Sequence, residues 1–267
     1  MLGKLLKYDL KAGARLMPIA YAAVALLCLM SWILNLIDIS PYKEFLSIIL
    51  ILISVAIVFA SMIYSMVRYY RGVYGAEGYL TQTLPVKHSS IVISKVISAF
   101  IFYVISFAVA FGGVYAGIYF LGYDLLDLFR DMSGNGLTPL VWYVAVSLII
   151  SFVVFISETF FSITLAQIRP FMKNNIIFAV LFYFGLNFIV PVLEFAGILF
   201  IPLGIKIGEN GASFTTEMMV RSLDFSNSAI TQIGIVLGAG SYIIDIAAGV
   251  CLLVLTAWLM RTKTSVK

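Results

Sequence analysis

The chain has 267 residues, 62% of them hydrophobic and only 11% charged, with a formal net charge of +4 and a mean hydropathy of +1.07. A water-soluble domain is about a quarter charged, so a soluble fold of this length could not hide so much apolar surface. Charges are clustered and leave stretches of about 20 residues nearly free of them, the length an α-helix needs to cross a hydrocarbon core about 30 Å thick.

No dyad alternation of the transmembrane β-barrel kind is visible, so the expected fold is all-α, a polytopic membrane helix bundle of six transmembrane helices. With no internal repeat, low-complexity tract or long linker, residues 1–267 are expected to form a single transmembrane domain.

Residues 1–15 read as an amphipathic helix lying on the inner membrane surface. Lys4, Lys7, Lys11 and Arg15 fall on one side, Leu2, Leu5, Leu6 and Leu10 gather on the other, and Asp9 interrupts the apolar side. The alternative is a solvated basic lead-in to the first span. A cleaved signal peptide is not expected, because the apolar run is of full spanning length and no small-residue cleavage site precedes the polar segment at 38–44.

Spans are expected at 16–36, 45–66, 96–120, 140–166, 176–195 and 235–260. Within the third, Gly113 and Gly117 form a small-residue face, repeated at Gly234 and Gly238, suited to close packing within the bundle or between subunits. Residues 197–207 are apolar but too short to cross, which predicts a re-entrant or interfacial outer segment before the last helix. The polar stretch 208–231 reads as an external loop.

The N-terminus, 67–95, 167–175 and the C-terminus hold 13 of the 17 Lys and Arg, and the alternate segments hold 4. Basic residues near span ends resist translocation, which predicts that both termini are cytoplasmic.

Several chemistries are unsupported. No G-x-x-x-x-G-K-[ST] motif is present, so no P-loop binds nucleotide. The lone His88 sits beside Lys87 without a cysteine or carboxylate cluster and reads as a solvated loop residue, so no metal site is expected. No nucleophile has a histidine base near it in sequence or topology, and no catalytic residue is assigned. Cys28 and Cys251 both fall inside apolar spans as small packing residues.

Carboxylates inside a membrane are the usual pointer to a translocation path, and Glu158 and Asp245 are the candidates. Depth along ideal helices places Glu158 near the cytoplasmic interface and Asp245 toward the outer one, which favours interfacial or hydrogen-bonded carboxylates over a proton relay. Asn187 falls near mid-bilayer, where its amide bonds a neighbouring helix or contacts substrate.

The loop between the second and third spans carries the most information. Pro85 ends any helix at or before Leu84, leaving a short element at about 77–84 that presents Tyr79, Leu80 and Leu84 beside Glu77. Docking on another protein and folding back on the bundle or membrane are both compatible with that composition.

The run Glu77-Gly78-Tyr79-Leu80-Thr81-Gln82-Thr83-Leu84-Pro85-Val86, with Ser94-Lys95 further on, resembles the second-type ABC exporter permeases of Gram-positive bacteria. The opening Leu5-Leu6-Lys7-Tyr8-Asp9-Leu10-Lys11 is similar to that family's N-terminal elbow helix. The resemblance implies a permease in a bacterial plasma membrane, dimeric with itself or a sister permease and mounted on separate ABC ATPase subunits. It implies that the loop is a coupling element, with Glu77, Gly78, Tyr79, Leu80, Thr81, Leu84 and Pro85 at the ATPase contact.

No cofactor is then expected in this chain, ATP and magnesium being bound by the partner, and no nucleic acid. The substrate implied is lipophilic or amphipathic, whether peptide, antibiotic or lipid-like. The alternatives are an ion-coupled carrier or channel and a non-transporting scaffold or immunity protein.

Overall fold

The computed structural model describes residues 2–37, 40–75, 78, 87–208, 211–222 and 235–262. Among the described residues six helices are long and apolar enough to cross a membrane. The chain is a polytopic helical membrane protein, in which each span satisfies its backbone polar groups internally. Contacts divide it into two compact units, Met1–Asp127 and Leu128–Ser265.

The first unit contains α1 (Leu2–Gly13), α2 (Met17–Ile37), α3 (Tyr42–Val73) and α4 (His88–Phe120). Its apolar core gathers Val24, Leu50, Ile57 and Phe120. The α3/α4 contact is built from small residues. Ser47, Ser54, Ser61 and Ser65 are buried along α3, at spacings that keep them on one stripe.

Each of these hydroxyls donates to a carbonyl of its own helix, Ser47 to Lys43 at 2.7 Å, Ser54 to Leu50 at 2.6 Å, Ser61 to Val58 at 2.7 Å and Ser65 to Ser61 at 2.9 Å. The stripe is therefore satisfied without help from a neighbour. Gly113 and Gly117 of α4 face it. A Cβ on Gly113 would strike the Ser54 Oγ and come within 3.1 Å of Val24, and one on Gly117 would lie 2.6 Å from Ile51. The small-residue face found in the sequence thus packs within this unit. The hydroxyls of Tyr21 and Ser106, 2.8 Å apart, add a polar tie between α2 and α4.

Helices α3 and α4 have 32 and 33 residues, about 48 and 50 Å at the α-helical rise. The hydrocarbon core accounts for about 30 Å of that. Both extend the expected spans toward the intervening loop, so residues 67–73 and 88–95 are helical and the connection shortens to 74–87.

A short helix, α5 (Leu125–Gly134), follows. The second unit then contains α6 (Thr138–Leu165), α7 (Asn175–Phe200), β1 (Gly204–Gly208), β2 (Gly211–Thr215), α8 (Met219–Ser222), β3 (Ile235–Gly238) and α9 (Ser241–Thr262). The strands form an antiparallel sheet in the order β2-β1-β3, with Ile205 opposite both Phe214 and Leu237.

This refines two expectations. In the segment 197–207, expected to be re-entrant or interfacial, 197–200 complete α7 and 204–207 belong to β1. The last span does not begin at 235, because 235–238 pair with β1 before α9 starts at Ser241. The physical reason is close backbone approach at glycine. A Cβ on Gly238 would strike the Ile198 carbonyl, and one on Gly240 the Gly197 carbonyl, so the sheet seats tightly on the end of α7. The Ala239 N–H donates to the Leu203 carbonyl at 2.6 Å, and the Tyr143 hydroxyl to the Gly238 carbonyl at 3.1 Å.

Candidate functional site

Residues 74–87 leave the end of α3 and return at the start of α4, and three helices meet at their base. The carboxylate of Asp9 on α1 accepts a hydrogen bond from the Lys95 ammonium at 2.5 Å and another from the Ser94 hydroxyl at 3.1 Å, both on α4. The Arg68 guanidinium of α3 stands 3.8 Å from the same carboxylate. Asp9 and Lys95 are each only 8% exposed.

Local sequence explains the arrangement. Gly72 leaves room for the Lys95 ammonium, which would stand 2.9 Å from a Cβ there, and Gly13 leaves room for the Phe102 ring. Tyr69 and Tyr74, both buried, stack edge to face at 6.2 Å over this end of α3. Asp9, which interrupts the apolar side of α1 in sequence, is therefore the residue that ties α1 to the helices carrying the loop.

Of the loop residues named above, Gly78 is described: its N–H donates to the Gly75 carbonyl at 2.8 Å, and its backbone lies against the Val73 carbonyl so closely that a Cβ would not fit. Glu77, Tyr79, Leu80, Thr81, Leu84 and Pro85 lie outside the described residues.

The second unit holds a polar cluster among its apolar helices, with Glu158 buried, Asp245 and Glu194 half-buried and Asn187 exposed. The Asn187 amide of α7 donates to the Glu158 carboxylate of α6 at 3.3 Å and to its own helix at the Tyr183 carbonyl, also at 3.3 Å. Pro191 lies inside α7 and has no N–H for the Asn187 carbonyl four residues earlier. Asp245 of α9, Glu194 of α7 and Glu158 of α6 lie close enough to act on one another electrostatically. One buried Asp245 oxygen has no hydrogen-bond partner.

Sequence reasoning placed Glu158 and Asp245 near opposite membrane faces. The structure corrects this. Gly249, one turn after Asp245, faces the Ser157 hydroxyl, which would lie 3.6 Å from a Cβ there, so α9 and α6 are staggered and their carboxylates converge. Glu194 was missed altogether, although seven residues after Asn187 it shares that residue's helical face. Polar groups gathered in this way on apolar spans are costly and mark a candidate translocation element. Among the described residues no group of side chains could hold a metal ion.

Beside the sheet, an open groove of about 660 Å³ is lined mainly by apolar and aromatic side chains, including Trp142, Tyr143, Leu203, Phe214, Tyr242 and Ile243. Its chemistry suits an apolar chain better than a charged ligand. No protein-family model, curated protein or solved structure matches this chain.

Proposed function

We propose that this chain is the membrane-spanning permease subunit of an ATP-driven ABC exporter for a lipophilic or amphipathic substrate. ATP and magnesium are bound by separate ATPase subunits, and the permease pairs with a second copy or a sister chain in a bacterial plasma membrane, both termini in the cytoplasm. The observation that supports this reading is the pair of helices α3 and α4, each longer than the hydrocarbon core requires and joined near the ends that face the loop by Asp9. Such a stalk transmits motion of a docked partner to the membrane spans as a rigid-body shift.

The test replaces Tyr79, Leu80 and Leu84 together with Asp in nanodiscs containing permease and ATPase. Burying unpaired charge in a contact costs at least the few kcal/mol lost when a central contact residue is truncated. The expected result is normal membrane abundance with lost ATPase co-purification, or assembly without substrate-stimulated ATP hydrolysis. A variant that assembles and turns over like the parent overturns the reading.

A second reading, an ion-coupled carrier, is favoured by one observation, the convergence of Glu158, Glu194, Asp245 and Asn187 within the second unit. Transport driven by an ion gradient with no ATPase present, and abolished by Glu158→Gln, would establish it in place of the first.

A further inference from the structure

The basic residues of α1 are left over once its structural contacts are accounted for. Asp9 and Gly13 face α4 and are buried, whereas Lys4, Lys7, Lys11 and Arg15 are all exposed. Spacings of three and four residues hold Lys4, Lys7 and Lys11 on one side of the helix, and Arg15 follows in the turn after Gly13. Tyr8, 71% exposed, and Leu16, 57% exposed, stand near this basic side.

What lies opposite is constrained by covalent geometry. Gly13 ends α1 and Met17 begins a helix long enough to cross a membrane. Three intervening residues span at most about 10 Å fully extended, so the end of α1 that carries Lys11 stays close to the level of the lipid headgroups. Exposed Tyr beside Lys and Arg is the composition of an interfacial segment. A layer of phosphodiesters is the charge-complementary surface at that depth, and each basic residue near an anionic leaflet adds about fivefold to binding.

A free basic arm would bind lipid without consequence for the rest of the chain. This one is not free, because Asp9 joins it to Lys95 and Ser94 of α4 and stands beside Arg68 of α3, the two helices between which residues 74–87 run.

We propose that the basic face of α1 binds anionic phospholipid headgroups, and that the buried Asp9 junction transmits their occupancy to the segment 74–95. Headgroup binding holds α1 in one orientation. Through Asp9 that orientation fixes the separation of α3 and α4 at the base of the connection. The inference rests on the reading of 74–87 as a partner contact for its consequence in transport, but its test uses the permease alone, so either can fail without the other.

The experiment measures amide hydrogen exchange across the full chain in phosphatidylcholine nanodiscs with and without phosphatidylglycerol. Phosphatidylglycerol is expected to slow exchange in α1 and in 74–95. Titration of the detergent-solubilised protein with short-chain phosphatidylglycerol gives the affinity. Lys7→Gln should weaken it about fivefold, and the quadruple change of Lys4, Lys7, Lys11 and Arg15 to Gln should weaken it more than a hundredfold. Inorganic phosphate separates a lipid site from a simple anion site: slowing by phosphate alone refutes the lipid assignment.

Asp9→Asn with Lys95→Gln removes both buried charges and keeps the packing. In this double variant phosphatidylglycerol should still protect α1, while its effect on 74–95 is lost. Equal exchange in the two lipid compositions, or an undiminished response of 74–95 in the double variant, overturns the proposal.

Discussion

Asp9 and Lys95 are both buried and offset each other's charge, with Arg68 3.8 Å from the same carboxylate at the more exposed edge of the pair. Breaking a buried ion pair from one side costs about 3–5 kcal/mol, because a buried charge is left uncompensated, whereas replacing both partners with apolar residues of similar volume is often neutral. Asp9→Ala should therefore lower the thermal stability of the purified chain and expose α1 to protease, and Asp9→Leu with Lys95→Met should restore both. A single variant as stable as the parent would show that the junction does not hold α1. Neither partner was assigned this role from the sequence, because the bond joins residues 86 positions apart and local periodicity reports only neighbours. The signal was nevertheless present as an acid on the apolar side of an amphipathic helix. Glu194 was equally legible, one carboxylate late in an apolar run and in register with Asn187.

The α3/α4 contact turns on the difference between two adjacent glycines. A Cβ on Gly113 would meet Ser54 and Val24, while around Gly112 nothing lies within 4 Å of one. Gly113→Val should push the helices apart and destabilise by about 1–3 kcal/mol, the cost of overpacking a close contact. Gly112→Ala should be neutral or stabilising by up to about 1 kcal/mol, since alanine is the better helix former. Denaturation midpoints of the two variants in detergent check the contrast, and equal effects would refute the packing argument. Hydropathy made all six spans legible at this scale, because the bilayer imposes length and apolarity on each segment independently. It failed at β3, where Val236 and Leu237 continue the apolar run of α9 and composition alone does not mark the break. Pairing with β1 decided the boundary, and pairing is a property of two distant segments.

For the whole molecule, the uneven distribution of basic residues predicts cytoplasmic termini. In a variant lacking Cys28 and Cys251, single cysteines at Asn135 and Ser213 should react with an impermeant maleimide added to intact cells, and one at Ser89 should react only after lysis. All three positions are exposed in the folded chain, so failure to label reports the membrane rather than burial. Labelling of Ser89 from outside with the other two protected would invert the topology and move the basic side of α1 to the opposite leaflet.

The serine stripe of α3 has a mechanical meaning. Because Ser47, Ser54, Ser61 and Ser65 return their hydrogen bonds to their own helix, displacing α3 lengthwise past the glycines of α4 breaks none of those four bonds. The register of the two helices is held elsewhere, by the Tyr64 ring of α3 set edge-on against Phe102 of α4 and by Ile51 seated over Gly117, so the stripe sets how closely the helices approach while these larger side chains set where along their length they meet.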